Sequence, residues 1–345
     1  MSLSIRFAES HFAPEWLIRC GIRTFIRKRL REEGRKKGND HAGQIEAFVR
    51  FLRQCPIAVY TRAANEQHYE MPPDFFLNVL GKRLKYSCCY YPTGTESLDQ
   101  AEEHMLKLTC ERARVKDGMD LLELGCGWGS LTLWMAEHYP NARITAVSNS
   151  QPQREFILER CRNQDFNNVQ VITADINDFE TDWRFDRILS VEMFEHMRNY
   201  TRLLEKIASW MKPEARLFVH IFCHREYAYA FETEGSGNWM GRYFFTGGIM
   251  PSYDLFLDFQ DNVEIEDRWQ VNGKHYQKTA EQWLCNMTRN RSSIMPVLGA
   301  TYGRTNAERW FRRWRIFFLA CAELWGFHDG EEWLVAHYVF RKKIG

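Results

Sequence analysis

The stretch Leu121-Leu-Glu-Leu-Gly-Cys-Gly-Trp-Gly129 decides how the rest of this chain is interpreted. Apolar residues around a single acid predict a buried strand, and the alternating glycines that follow predict a tight turn. Residues 130–139 carry apolar side chains at helical spacing, so a helix should begin there with its N-terminus facing the turn. Gly125, Gly127 and Gly129 would let a ligand lie directly against the backbone.

The glycine spacing separates this turn from two common nucleotide-binding motifs. It reads Gly-x-Gly-x-Gly, whereas dinucleotide-binding proteins carry Gly-x-Gly-x-x-Gly, and no Lys-Ser/Thr follows as in a phosphate-binding loop. A strand that runs into Glu-x-Gly-x-Gly-x-Gly instead resembles the opening motif of class I S-adenosyl-L-methionine (SAM) methyltransferases. The alternative for the motif on its own is an ordinary glycine-rich turn.

Predicted strands and helices alternate from residue 119 to residue 222, which indicates a parallel sheet covered on both faces. The strands are predicted at 120–124, 143–148, 169–173, 185–191 and 216–222. The helices between them are predicted at 130–139, 151–164, 200–211 and, as a short piece, near Asn177. Strands at 263–269 and 334–341 should pair antiparallel at the edge. The predicted fold class is therefore α/β, a Rossmann-like seven-stranded sheet with a helical N-terminal extension and a helical, aromatic-rich insertion for the substrate.

Three parts are predicted along the chain. They are a helical N-terminal extension over residues 1–60, an entrance to the site over 61–118, and a core over 119–345. In the core, the segment 224–259 is rich in aromatic residues and is the best candidate for a lid over the substrate. Later helices are predicted at 253–260, 279–291 and 306–324. The basic segment 21–31 could lie on a membrane surface or dock on the domain, and the acids Glu32 and Glu33 favour docking.

Composition and charge exclude several classes of function. A formal net charge of +1 over 345 residues gives no field that would attract nucleic acid. No stretch approaches the roughly 18–20 apolar residues of a membrane span, so stable membrane insertion is not expected. The 10 cysteines show no CxxC pair or metal-ligand spacing. This usage is typical of reduced thiols in a cytoplasmic protein without a metal site.

Polar side chains follow the predicted strands, at the sheet edge where parallel strands face a bound ligand. Asn149 could offer an acceptor and donors to the two ribose hydroxyls of a nucleoside, and Gln153, four residues on, would face the same place. Asp175 could accept a hydrogen bond from an adenine amino group while Ile176 covers the ring. Each residue alone could be an ordinary cap or ion pair, but together, at successive strand ends, they favour a nucleoside site.

The fourth predicted strand ends in the segment Val191-Glu-Met-Phe-Glu-His196. Its ionisable groups, Glu192, Glu195 and His196, would lie over a group transferred from the ligand. Any of the three could remove a proton from a substrate, and close together they would shift one another's pKa values. Tyr86, in the aromatic segment 84–92, could line the same pocket or belong to a packed aromatic loop.

Seven segments extend the resemblance well beyond the glycine loop. They are Lys85-Tyr-Ser-Cys-Cys-Tyr90, Leu122-Glu-Leu-Gly-Cys-Gly127, Ala146-Val-Ser-Asn-Ser150, Glu192-Met-Phe-Glu-His-Met-Arg-Asn-Tyr200, Arg242-Tyr-Phe-Phe-Thr-Gly-Gly248, Asn272-Gly-Lys-His275 and Gly330-Glu-Glu-Trp333. From about residue 60 to the C-terminus the chain resembles the cyclopropane fatty acid synthase superfamily and, within it, the coclaurine N-methyltransferase group. Residues 1–60 and Trp128 depart from the pattern of that group, which leaves the identity of the natural amine open.

The resemblance implies a SAM-dependent N-methyltransferase that moves a methyl group to the amine of a small aromatic amine or alkaloid, of the benzylisoquinoline or tetrahydroisoquinoline type. SAM would be the cofactor and S-adenosyl-L-homocysteine its product. The implied catalytic residues are Glu192, Glu195 and His196. The implied SAM-site residues are Ser87, Gly125, Cys126, Gly127, Asn149, Gln153, Asp175 and Ile176. The expected substrate contacts are Tyr69, Tyr86, Phe222, His224, Tyr229, Trp239, Phe244, Phe318 and Trp325.

Two other functions stay open at this point. The cyclopropane synthases hold a bicarbonate base with a cysteine, a glutamate and a histidine, and here Cys88, Glu192 or Glu195, and His220 could do the same during alkylation of a lipid. The third alternative is a SAM-binding partner or sensor, which the acid–histidine cluster disfavours because binding alone does not require it. The sequence is also compatible with a homodimer.

Overall fold

The computed structural model describes residues 3–10, 13–37, 41–59, 71–235 and 238–343. The strand bounds are β1 Asp120–Leu124, β2 Arg143–Ser148, β3 Val169–Thr173, β4 Phe185–Val191, β5 Met211–His224, β6 Tyr229–Ala230, β7 Ile249–Met250, β8 Val263–Val271 and β9 Trp333–Lys342. Seven of these strands form one sheet in the order β3-β2-β1-β4-β5-β9-β8. Strands β1 to β5 pair in parallel, and β9 and β8 pair antiparallel at one edge, as predicted.

The helices cover both faces of this sheet, and several of them precede its first strand in the chain. Their bounds are α1 Leu3–Ala8, α2 Glu15–Lys37, α3 His41–Gln54, α4 Pro73–Val79, α5 Leu98–Arg112, α6 Ser130–His138, α7 Gln151–Asn163, α8 Tyr200–Trp210, α9 Trp239–Tyr243, α10 Gly273–Arg289, α11 Arg291–Tyr302 and α12 Ala307–Trp325. Short 3₁₀ helices lie at Phe194–His196, Leu255–Asp258 and Phe327–Gly330.

Alternation along β5 separates the core into layers on opposite faces of the sheet. Leu217 and Val219 belong to the hydrophobic cluster that includes α8, whereas Phe218 belongs to the cluster that includes α5 and α6. His220 has the same parity as Phe218 and is fully buried. Strand β5 therefore carries a polar side chain into the layer between the sheet and α5.

The basic helix α2 docks on the C-terminal helices. Arg19 donates hydrogen bonds to Glu281 of α10 at 2.6 Å and to Glu323 of α12 at 2.9 Å. Ile18 and Ile26 are buried in the hydrophobic cluster that also contains residues of α10 and α12. This packing supports the docked alternative for the segment 21–31. Within the described ranges, no helix combines the length and the apolar character needed to cross a bilayer.

Several predicted helices differ from the structure. Residues 176–178 form a turn instead of the short helix expected near Asn177, because Asp175 Oδ1 accepts hydrogen bonds from both nitrogens of Asn177. The helix predicted at 253–260 shortens to the 3₁₀ segment Leu255–Asp258. Helix α10 begins at Gly273 rather than at residue 279, since Asn272 caps it. Helix α11 was not predicted, because Pro296 and a glycine interrupt its pattern. The division of the chain at residues 60 and 118 stays a prediction.

Candidate active site

A cavity lies where the carboxyl ends of β1, β2 and β4 meet the C-terminal helices. All the residues that the sequence assigned to the nucleoside line it. They are Ser87, Gly125, Cys126, Gly127, Asn149, Gln153, Asp175 and Ile176. The strand order brings them together, because parallel strands that are distant in sequence end at the same edge of the sheet.

Three residues that line the cavity carry buried hydrogen-bond donors. Gln153 Nε2, Ser130 Oγ and Trp128 Nε1 are buried at its wall and have no hydrogen-bond partner among the described residues. Gly127 has a φ of 52°, and a Cβ built there would meet nothing within 4 Å, so its backbone faces open space. In the described part of the chain, no group of His, Cys, Asp or Glu is arranged to hold a metal ion.

A glycine is needed at position 125 because a side chain there would collide with a neighbouring segment. Its φ is 79°, and a Cβ at this position would lie 2.8 Å from the side chain of Met193. The glycine therefore permits the loop after β1 to approach the segment that follows β4. That approach brings the nucleoside end of the cavity next to Glu192 and His196, which line the same cavity.

Glu123 is a buried acid in the glycine motif. Thr132 of α6 donates a hydrogen bond to its Oε2, which ties β1 to the helix after the loop. Burial raises the pKa of Glu123 from 4.5 to about 8, and the Thr132 hydrogen bond opposes that rise. The folded protein therefore holds one more proton than the unfolded chain between these pH values, and its stability should fall as pH rises through that window.

Replacement of this acid is expected to remove that dependence. In Glu123→Gln the free energy of unfolding, relative to the wild type, should increase by about 1.4 kcal/mol per pH unit from about pH 5 to about pH 8. Urea unfolding at several pH values measures this difference. Glu205→Gln, which removes an exposed carboxyl from α8, is the control. The same slope in both variants would contradict the assignment to Glu123.

Glu192 is held in the cavity by its backbone and by both carboxylate oxygens. Its φ of 48° is unusual for a residue with a side chain, and its backbone N–H donates to the carbonyl oxygen of His220 at 2.8 Å. Oε1 accepts from the Cys88 N–H at 2.8 Å and lies 3.2 Å from His220 Nε2. The Tyr276 hydroxyl donates to Oε2 at 2.6 Å. The carboxylate is therefore fixed in orientation before any substrate arrives.

Burial shifts the pKa values of the acid and of the histidine in the cavity in opposite directions. Burial raises the pKa of Glu192, and the positive charge of Lys85 is the largest effect that opposes this rise. Lys85 is itself buried, where it donates to Ser87 Oγ at 2.5 Å and to the Cys88 carbonyl at 2.7 Å. Burial lowers the pKa of His196 to about 4, with Glu192 opposing. His196 is therefore neutral at neutral pH.

Glu195 does not line the cavity. It is fully buried behind the cavity wall, and its Oε1 accepts a hydrogen bond from the Phe222 N–H at 2.7 Å. Its Oε2 has no hydrogen-bond partner among the described residues. Burial, and then the charge of Glu192, hold the pKa of Glu195 well above its ordinary value of 4.5. The contact places Glu195 as a support for Phe222, which does line the cavity.

The aromatic side of the cavity agrees only in part with the expected substrate contacts. Three of the expected residues line it, namely Tyr86, Phe222 and Trp325. Five others are placed elsewhere, namely His224, Tyr229, Trp239, Phe244 and Phe318. Tyr69 lies outside the described residues.

Each of the five residues outside the cavity has another partner in the core. His224 stacks on Tyr227, and Tyr229 accepts a hydrogen bond from Trp333. Trp239 donates to Glu9, Phe244 stacks on Phe317, and Phe318 packs on Trp283 and Trp314. Aromatic composition alone could not separate these packing residues from cavity residues, because both kinds carry rings and lie close in sequence.

Several cavity residues were missed by the sequence analysis. They include Lys85, Tyr276, Trp283, Phe317, Ala320, Cys321 and Leu324, and also Phe231, Met240, Phe245 and Met250, which lie within the predicted lid segment 224–259 but were not named as contacts. A signal for part of this set exists along α12. Phe317, Ala320, Cys321 and Leu324 follow the i, i+3, i+4, i+7 spacing of one helix face. The small Ala320 and Cys321 stand among large aromatic residues, which indicates a face that leaves room for a ligand.

The sheet order, the glycine loop and the polar residues at the strand ends together define a class I SAM-dependent methyltransferase. The sequence model of the mycolic acid cyclopropane synthetase family matches residues 59–332, and the chain belongs to this family. Within it, the chain is an N-methyltransferase that uses SAM as its cofactor.

The relatives show where in the family the chain lies. It is 40% identical to (S)-coclaurine N-methyltransferase of Thalictrum flavum subsp. glaucum, over 97% of this chain and 94% of that one. It resembles a crystal structure of coclaurine N-methyltransferase bound to N-methylheliamine and S-adenosyl-L-homocysteine, with a TM-score of 0.94 and 37% identity over 98% of this chain and 99% of that chain. The cyclopropane-fatty-acyl-phospholipid synthase of Escherichia coli K12 is more distant, at 28% identity over 78% of this chain and 66% of that one.

Proposed function

We propose that the enzyme methylates the nitrogen of a small aromatic amine of the tetrahydroisoquinoline or benzylisoquinoline type. The observation that carries this proposal is a buried carboxylate, Glu192, among aromatic rings in the same cavity as the glycine loop. Such a site suits a flat cation, since the carboxylate attracts its charge and each ring can add roughly 0.5–2 kcal/mol. The coclaurine and N-methylheliamine named for the relatives are amines of this kind.

We propose that SAM occupies the nucleoside end of the cavity, where its sulfonium supplies an electrophilic methyl group. The residues proposed to hold it are Ser87, Gly125, Cys126, Gly127, Asn149, Gln153, Asp175 and Ile176. Asp175 Oδ1 also accepts the hydrogen bonds of Asn177, which fixes the orientation of the carboxylate and leaves Oδ2 to accept from a ligand. Placing donor and acceptor in one closed cavity provides much of the rate by orientation.

The amine must lose a proton before its nitrogen can attack, since free aliphatic amines are mostly protonated at neutral pH. A general base works best when its pKa lies near the working pH. Burial moves the pKa of Glu192 upward, toward that range, and moves the pKa of His196 down to about 4, away from it. We therefore propose that Glu192 removes the proton from the amine and that His196 orients the resulting neutral amine. Glu195 then supports the wall at Phe222.

A methyl-transfer assay with isotope-labelled SAM tests the proposal. The purified protein would meet a panel of tetrahydroisoquinolines, benzylisoquinolines and phenethylamines and, in parallel, vesicles of unsaturated phospholipid. We expect label in the amines. Label only in lipid would reject the amine and favour the alkylation alternative. That alternative has one structural support, because the Cys88 N–H and His220 both contact Glu192.

The size of the substrate can be tested at Ala320. This residue lines the cavity between Phe317 and Leu324, where a larger side chain would occupy space. We expect Ala320→Phe to raise KM for a benzylisoquinoline about tenfold or more, and to affect a simple tetrahydroisoquinoline much less, because only the former carries a second ring. Ala320→Ser is the matched control of similar volume. Equal losses for both substrates in Ala320→Phe would place the second ring elsewhere.

The cellular setting and the assembly are also proposed. Every cysteine of the chain is free, and several are buried beside the site, including Cys88, Cys89 and Cys126. We propose a cytoplasmic enzyme, because a reducing compartment keeps such thiols free. We further propose a homodimer, which light scattering of the purified protein would test.

A further inference from the structure

A row of hydrogen bonds runs from α5 to the cavity in the layer between α5 and the sheet. Arg112, at the end of α5, has its Nη1 2.7 Å from His337 Nδ1. His337 Nε2 lies 2.9 Å from His220 Nδ1, and His220 Nε2 lies 3.2 Å from Glu192 Oε1. His220 of β5 and His337 of β9 are directly opposite each other in the antiparallel register, and both are fully buried. The Arg112 guanidinium itself is half-buried, over the ring of Trp269.

The chemistry of Arg112 fixes the direction of every bond in this row. A guanidinium only donates, so His337 Nδ1 must accept and its proton must lie on Nε2. That N–H donates to His220 Nδ1, which must accept in turn, so the proton of His220 lies on Nε2 and points at Glu192. A second proton on His220 would bring two N–H groups face to face. Burial agrees with this, since it holds the pKa of both histidines well below the ordinary value of 6.5.

We propose that Arg112, acting through His337 and His220, is a positioning residue for methyl transfer, because it fixes a one-way row of hydrogen bonds that ends in a donor to Glu192. Without a donor at Arg112, His337 can turn its proton to Nδ1 and accept from His220. The proton of His220 then lies on Nδ1, and its Nε2 is free to accept. One additional proton can therefore be held between His220 Nε2 and the Glu192 carboxylate. A Glu192 that shares this proton cannot take one from the amine.

Other groups also face Glu192 and contribute to its titration. From the neighbouring elements they are Lys85 and Cys88 of the segment before α5, Glu195 and His196 of the 3₁₀ turn, Tyr276 of α10 and Cys321 of α12. The same groups are present in the wild type and in variants at Arg112. A difference between the pH profiles of these proteins, measured with one substrate, therefore reports the row and not the titration of the amine.

The variants are chosen to separate donor character from packing. Arg112→Met removes the donor, whereas Arg112→Lys keeps a cation that can only donate. Arg187→Met is the control, because Arg187 is similarly half-buried and donates to the carbonyl oxygens of Ala113 and Asp186 without contacting the row. In Arg112→Met we expect kcat to fall about tenfold at neutral pH, and the acid limb of its pH profile to move up by about one pH unit, as for a lost hydrogen bond to a charged group.

In Arg112→Lys the acid limb of the pH profile should stay near its wild-type position. Arg187→Met should change thermal stability without moving the acid limb. An unmoved limb in Arg112→Met, or an equal movement in Arg112→Lys or Arg187→Met, would overturn the inference. If Arg112→Met does not fold, nitrogen-15 NMR of the histidines in the wild-type protein decides, since both His220 and His337 must carry their proton on Nε2. A protonated Nδ1 on either ring would also overturn it.

The inference rests on the proposed role of Glu192, and these measurements keep the two apart. The imidazole protons are observed without turnover, so they test the row even if Glu192 is not the base. Conversely, the acid limb of the pH profile could flatten in Glu192→Gln and stay unmoved in Arg112→Met. That result would support Glu192 as the base and would reject a role for the row of hydrogen bonds.

Discussion

Glu192→Gln is expected to lower kcat for methyl transfer about a hundredfold or more, within the range by which a positioned base accelerates a reaction. Glutamine keeps the shape, its Oε1 can still accept the hydrogen bond from the Cys88 N–H, and its amide nitrogen can donate to the Tyr276 hydroxyl oxygen. It cannot take a proton or attract a cation, so both the rate and its acid limb should be lost. Steady-state kinetics over pH measure the first effect, and calorimetric titration with S-adenosyl-L-homocysteine should show that binding at the nucleoside end is kept.

Glu195→Gln is the matched control for this result. The two acids are close in sequence and both are buried, but Glu195 lies behind the cavity wall and has its pKa held well above the ordinary value. A neutral amide can accept the same hydrogen bond from Phe222 that Glu195 accepts now. Turnover of Glu195→Gln should therefore stay close to that of the wild type. If Glu195→Gln loses activity and Glu192→Gln does not, the base has been assigned to the wrong acid.

His196→Ala is expected to lower kcat by about tenfold to a hundredfold, because the amine loses a neighbour that holds it in line. The His196 ring packs on Phe245 with 4.7 Å between ring centroids, so the aromatic wall is disturbed as well. Since the pKa of His196 is lowered to about 4, its titration does not produce an acid limb near neutral pH. The pH profile of the variant should be reduced in height and unchanged in shape.

His196→Asn separates orientation from packing in this prediction. Asparagine keeps a neutral hydrogen-bonding group near the amine, and its kcat should lie between those of the wild type and His196→Ala. The thermal stability of both variants should also be measured, because it reports how much the loss of the contact with Phe245 destabilises the fold. If the acid limb of the pH profile disappears in His196→Asn but persists in Glu192→Gln, then His196 is the base and Glu192 orients the amine.

The fold followed from local patterns in the sequence. Apolar runs such as Leu121–Leu124, separated by amphipathic helices, predicted the five parallel strands and the antiparallel pair at the edge, and the sheet confirms them. The differences arose where a side chain overrode the pattern. Asn272 starts α10 early, and Asp175 turns the chain where a helix near Asn177 was expected. Hydrogen bonds of single side chains to the backbone are not visible in hydrophobic periodicity.

The nucleoside end of the cavity was predictable for a topological reason. Residues that end parallel strands meet at one edge whatever their distance in sequence, so Gly125, Asn149, Asp175 and Glu192 had to lie close together. The substrate end was less predictable, because its walls come from helices whose rotation depends on packing. Phe317 lines the cavity and Phe318 does not, although they are neighbours of the same type on α12.

The sequence by itself determined the sheet and the position of its ligand edge, since these depend on local periodicity and on glycine backbone geometry. The class of cofactor followed from the resemblance of its motifs to those of a known family. Only the tertiary structure distinguished Glu192 from Glu195, because one is held open to the cavity by Cys88 and Tyr276 and the other is covered by β5. Only the tertiary structure joined Arg112 to Glu192 through two histidines. Burial and cross-strand register are properties of residues far apart in the chain, and they set the protonation of the site.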